Sequence, residues 1–244
     1  MSNTRRTARI AGVFYLITFV SIPSLFLYDP VRRADYLTST GDDTGILLAA
    51  FLEVLVALAG IGTAITLFPI VKRQNETMAL GFVASRTLEA AMILVGVASI
   101  LSLVTLRQDL GAATGANAAS LLSTGASHIA TYDWAFTLGQ SLVPGLNAIL
   151  LGTLLYKSGL VPRVLPALGL IGAPLHLTAV ALTIFGVIDR AGPVALIAVI
   201  PIALWEFSLG IYLVVKGFKP SPILTTTAPP LPPVATTREA LPVA

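Results

Sequence analysis

The chain has 244 residues, of which 55% are hydrophobic and 11% charged, and its mean hydropathy is +0.87. A soluble domain carries about 25% charged residues, so this composition excludes a water-soluble fold and points to lipid as the solvent. The net charge of +3 comes from basic residues beside apolar spans, which argues for membrane topology and against nucleic acid as a partner; the absence of cysteine removes disulfides, thiolate catalysis and Cys-based zinc sites.

A window of about 19 residues predicts six membrane-spanning helices, near 10–28, 46–71, 78–106, 134–156, 164–187 and 193–216. Each reaches about the 20 residues that cross 30 Å of hydrocarbon. No stretch alternates apolar and polar residues as a barrel strand does, and lipid-exposed backbone must satisfy its own hydrogen bonds, so the spans are α-helices. The expected fold is an all-α, polytopic integral membrane bundle, monomeric or a small oligomer.

The first span follows Arg5, Arg6 and Arg9 and could be mistaken for a signal peptide. Its apolar run of about 19 residues exceeds an ordinary signal core, and no small-x-small cleavage pattern precedes Asp29-Pro30, so it is expected to be retained. Residues 29–45 and 107–133 form long connections, and Gly111–Ser127, rich in Ala, Ser and Gly, is expected to hold a short surface helix. Lys72–Thr77 and Lys157–Arg163 are tight turns that make their flanking spans antiparallel neighbours. Residues 1–217 thus form the transmembrane domain; 218–244, rich in Pro and Thr, is expected to be a disordered tail of polyproline II character.

Orientation follows the basic residues. One side holds Arg5, Arg6, Arg9, Lys72, Arg73, Lys157, Arg163, Lys216 and Lys219; the other holds Arg32, Arg33, Arg107 and Arg190. That bias places both termini in the cytoplasm.

Ionisable residues inside the spans are the candidate functional residues. A charge at the centre of a membrane helix costs about 2.5–3.5 kcal/mol on insertion scales, so each needs a partner. At about 1.5 Å per residue, Arg86, Glu89, Asn147, His176 and Glu206 fall in the middle third of the membrane, with Glu53 nearer the outer surface. Small residues share their helix faces: Ala57, Gly60 and Ala64 with Glu53; Gly96 and Ser99 with Glu89; Gly169, Gly172 and Ala179 with His176; Ala203 and Gly210 with Glu206. Such faces pack against protein, so these side chains are expected to meet in one polar centre of spans two, three, five and six, with Asn147 added from span four. Arg86 and Glu89, at i and i+3, can pair on one helix. Pro144, Pro174 and Pro201 lie close to Asn147, His176 and Glu206, and each frees a backbone carbonyl.

The leading functional expectation is binding or translocation of a small polar or anionic ligand, or of protons, at this site. Arg86 would orient an anionic group, and Glu206 or Glu53 would carry a proton. The rival is a non-transporting scaffold or regulator whose buried network locks the helices; a third reading is a membrane enzyme acting on lipid. No H-E-x-x-H, G-x-S-x-G or P-loop is present, so no catalytic residue is assigned and an enzyme is the weaker expectation. The chain has two histidines, and His128 belongs to a connecting loop, so neither a metal nor a cofactor is expected.

Four segments resemble a family of bacterial membrane proteins catalogued as domain of unknown function 4386. They are Arg9-Ile-Ala-Gly-Val-Phe-Tyr15-Leu16, the Arg86-x-x-Glu89 pair, Tyr156-Lys-Ser-Gly159-Leu-Val-Pro162-Arg163, and the last span with Pro201, Glu206 and Lys216-Gly217. The resemblance implies an integral inner-membrane protein of about six helices with no assigned activity, and it transfers no catalytic residue.

Overall fold

The computed structural model describes residues 3–33, 35–110 and 116–225. Among these there is no strand, and six helices are long and apolar enough to cross a membrane. In chain order the helices are α1 (Asn3–Thr18), α2 (Ile22–Leu27), α3 (Thr44–Val71), α4 (Glu76–Leu110), α5 (Ala116–Phe136), α6 (Val143–Ser158), α7 (Val164–Ile184), α8 (Pro193–Val215) and the short α9 (Pro222–Thr225).

Local chemistry sets most boundaries. The Asn75 side chain accepts the Met78 amide at 2.8 Å and caps the start of α4. Gly159, at φ 65°, takes the left-handed conformation that stops α6 and begins the turn into α7. Pro193 opens α8, where its missing N–H has no intrahelical acceptor to serve.

Two spans begin earlier than hydropathy predicts. The first starts at Asn3 because Arg5 donates to the carbonyls of Lys216 and Val215, anchoring the start of α1 to the end of α8. It then breaks through a 3₁₀ turn (Phe19–Ser21) into α2, where Pro23 lies in the opening turn. The fourth span, expected at 134–156, is one helical path from Ala116 to Ser158. Its Ala- and Ser-rich first part, expected as a short surface helix, is the beginning of the span itself; residues 111–115 of that expectation lie outside the described residues. Alanine favours helix whatever its hydropathy, and small side chains such as Gly125 let the segment lie against Leu37 and Leu103.

A π segment, Thr137–Leu142, joins α5 to α6. Pro144 follows it and lacks the N–H that an α-helix would direct to the Gln140 carbonyl, which accounts for the irregular turn at this point.

The spans form a closed ring: α1 packs on α3, α3 on α4, α4 on α5 and α6, α6 on α7, α7 on α8, and α8 returns to α1. Small residues permit the tightest crossings. A Cβ on Gly12 would stand 2.7 Å from the Gly210 carbonyl, and one on Gly172 would meet Pro201 at 2.7 Å. Gly169 seats the ring of Trp205, which is fully buried. Lipid tails are as apolar as leucine, so close packing of this kind, not exclusion from water, holds membrane helices together. Leu58, Ile65, Leu88, Ile171, Ile197 and Leu204 face outward, as lipid requires.

Both Asn3 and Thr225 lie at one end, here the terminal end. Residues 218–225, expected to open the tail, instead pack there: the Lys219 amide donates to the Leu160 carbonyl at 2.7 Å and Ser221 to that of Ser158 at 2.6 Å. The rest of the expected tail, 226–244, lies outside the described residues.

Candidate functional site

Four of the six expected residues meet. Arg86, 2% exposed, forks between two carboxylates: Nη1 reaches Glu89 Oε2 at 2.9 Å and Nη2 reaches Glu206 Oε1 at 2.6 Å. The guanidinium geometry suits such a fork. Asn147 Nδ2 donates to Glu89 Oε2 at 2.8 Å. The rings of Tyr15 and Phe82 lie 5.3 and 5.8 Å from Arg86 Cζ, within cation–π range. Gly60 of α3 leaves room for the Arg86 stem; a Cβ there would stand 4.0 Å from Arg86 Cδ. The cluster therefore ties α4, α6 and α8 by polar bonds, with α1 and α3 in contact.

Glu53 is not part of it. It is 1% exposed on α3 and accepts from the hydroxyls of Tyr28 (3.3 Å) and Tyr132 (3.4 Å) and from Gln140 Nε2 (3.3 Å). No ion pair to Glu53 forms among the described residues. Its three partners come from the end of α2, from α5 and from the π segment. Sequence periodicity could not nominate them, because each belongs to a different element.

His176 also stands apart from the carboxyl groups. Its Nε2 bonds the Ser141 carbonyl of the π segment at 2.7 Å, so its partner is backbone and not a glutamate. The ring is 5% exposed, and its Nδ1 has no hydrogen-bond partner.

His176 lines a cavity of about 200 Å³ at the end of the bundle opposite the termini, between the π segment, α7 and the start of α8. Thr137, Gln140, Ser141 and Thr183 add polar atoms; Phe136, Ala179, Val180, Leu196 and Val199 supply apolar wall. The ring of helices opens here because α5 packs on α4 and has little contact with α7 or α8. A vestibule of about 390 Å³ adjoins it, sharing Phe136, Arg190 and Leu196 and adding Tyr28, Asp29, Arg32 and Tyr132. Neither space is lined by Arg86, Glu89, Asn147 or Glu206. The Tyr15 hydroxyl, Asn147 Oδ1 and Trp205 Nε1 are likewise buried without partners, but they line neither space.

Five charged groups at this end form ion pairs. Asp133 takes Arg32 Nη2 at 2.8 Å and Arg190 Nη2 at 2.6 Å, joining three segments over the vestibule. The hydrogen bond to Asp133 raises the Arg32 pKa above its ordinary value. Arg107 pairs with Asp43 at 2.5 Å and stacks over Tyr36, whose phenol is pushed up to about 12 by burial and by its hydrogen bond to Asp43. Among the described residues no group of His, Asp and Glu is placed to hold a metal ion.

Residues 10–217 match a family model described as Domain of unknown function (DUF4386). No curated protein and no solved structure matches the chain.

Proposed function

The chain belongs to the family of the domain of unknown function 4386, and from its geometry we propose that it is a multi-pass membrane protein that binds a small ligand in the cavity beside the π segment. The observation that carries this reading is His176, a buried residue that lines that cavity and whose Nδ1 has no hydrogen-bond partner. A buried polar atom without a partner costs about 1–3 kcal/mol, and such atoms concentrate where function requires them. A π segment bordering the cavity supports the same reading, since π turns inside α-helices recur at functional sites. If the termini are cytoplasmic, as the basic residues favour, the cavity lies in the outer half of a cytoplasmic membrane.

Arg86, Glu89, Glu206 and Asn147 take a different role in this reading. They bond to one another and line neither cavity, although Arg86 Nε and Asn147 Oδ1 keep no partner, which suits a lock between helices better than a ligand site.

Because the chain has no cysteine, single introduced cysteines report alone. In Thr183→Cys a small thiol reagent should modify the cavity, in Asn147→Cys it should not, and adding Ala179→Phe should protect position 183. Labelling at 147 with none at 183 would overturn the assignment.

A further inference from the structure

Bonding at Arg86 leaves one negative charge unanswered. Its two terminal nitrogens meet Glu89 at 2.9 Å and Glu206 at 2.6 Å, so a single cation stands between two carboxyl groups. Only 2%, 10% and 13% of the Arg86, Glu89 and Glu206 side chains is exposed. Among the described residues no other Lys, Arg or His forms an ion pair with either glutamate. The surrounding elements bring no second cation. Tyr15 of α1 lies over the guanidinium, and the arginines of α1 precede it by six residues or more. From α3 the neighbour is Gly60, while Glu53 bonds Tyr28, Tyr132 and Gln140; from α6 it is Asn147. Asp133 of α5 holds Arg32 and Arg190, and the π segment has no ionisable side chain. His176, the one ionisable residue of α7, lies within Coulombic range of Glu206 but bonds the Ser141 carbonyl.

Fully ionised, the centre would carry an uncompensated charge inside the bilayer. A buried unpaired ion is far costlier than a neutral, hydrogen-bonded acid, and two carboxylates meeting at one site resist ionising together. Several donors are needed to sustain a buried carboxylate. Glu89 receives Arg86 and Asn147, whereas Glu206 receives Arg86 alone. Two further donors, Arg86 Nε and the Tyr15 hydroxyl, are buried and bond neither carboxyl.

We propose that this centre is a proton-binding site: Glu89 and Glu206 hold one proton between them at neutral pH, and the cluster is electrically neutral. The proton comes from water and forms one O–H bond; no other covalent bond changes. It belongs to the pair, since both carboxyl groups meet the same guanidinium. These residues line neither cavity, so the proton site is separate from the proposed ligand site. Loss of the proton puts an unpaired charge at the bond between α4 and α8 and weakens the lock.

The test uses the full chain in lipid nanodiscs at neutral pH and infrared spectroscopy, which separates the stretch of a carboxylic acid from that of a carboxylate. Glu206→Gln and Glu89→Gln, each compared with the wild type, should both lose one acid band and no carboxylate band. The glutamate left behind gives up the shared proton and pairs with Arg86. A carboxylate band lost from either variant, or an acid band lost from only one, would overturn the proposal. If neither variant folds, Glu53→Gln decides: it leaves the centre intact and removes the carboxyl buried outside it, so an acid band should remain. Its absence would overturn the proposal. Proton linkage gives an independent readout. A glutamate in water has released its proton well below neutral pH, so unfolding sheds the shared proton and stability should fall as pH rises. Through neutral pH the unfolding constant of the wild type should grow about tenfold more per pH unit than that of either single variant. Equal slopes would overturn the proposal.

Discussion

At the scale of the residue, Arg86 is the group with most to lose. One guanidinium serves two buried carboxyl groups, so Arg86→Ala leaves both without a cation, and removing one partner of a buried ion pair costs about 3–5 kcal/mol. Asn147→Ala removes one hydrogen bond to Glu89, and single side-chain hydrogen bonds in membrane proteins average about 0.6 kcal/mol. Denaturant unfolding in mixed micelles should therefore rank Arg86→Ala several-fold worse than Asn147→Ala. Comparable losses would mean that Arg86 is not the hub of the cluster. Its members were legible in the sequence because a charge in hydrocarbon must face protein, and helical spacing says which face that is. Glu53 and His176 obeyed the same rule but found different partners. Tyr28, Tyr132 and Gln140 reach Glu53 from distant elements, and His176 bonds a backbone carbonyl, which leaves no side-chain pattern to read.

At the scale of the element, the glycines and Pro144 set how the spans meet. Gly210→Leu would drive a side chain into Tyr15 and Leu16, 3.1 Å from the new Cβ, so α1 and α8 must separate. Overpacking of this kind costs about 1–3 kcal/mol. Gly81→Ala, whose Cβ would touch only Leu150 at 3.6 Å, should be nearly neutral in the same unfolding assay. Pro144→Ala returns the N–H that permits a regular α-helix, which would rotate Gln140 and Ser141 relative to His176. Labelling of Ser141→Cys by a thiol reagent should then change when Pro144→Ala is added; unaltered labelling would show that packing against α4, not the proline, maintains the π turn. Pro144 was visible in the sequence, but the π turn was not, because a proline frees a carbonyl without specifying how the helix absorbs the change. The start of the fourth span was missed for a simpler reason: Ser, Thr and Gly lower the hydropathy of 116–133 without opposing a helix.

For the whole molecule, the count of spans followed from hydropathy alone, since only a helix satisfies its backbone in lipid. Their cyclic arrangement did not, because α3, α7 and α8 are apolar nearly all round and their pattern names no neighbour. Which end faces out is a separate matter. With cytoplasmic termini, Asp42→Cys should react with a membrane-impermeant thiol reagent on intact cells, and Gln74→Cys should react only after lysis. The opposite pattern would invert the bundle and turn the cavity toward the cytoplasm.

The link between Arg5 and the carbonyls of Val215 and Lys216 also bears on synthesis. The first helix made packs against the last, and Glu206 arrives with that last helix, so during translation the earliest span waits, incompletely docked, for the final one. A nascent chain arrested before Pro193 should leave the amino-terminal segment open to protease. Release of α8 should close it in a single late step.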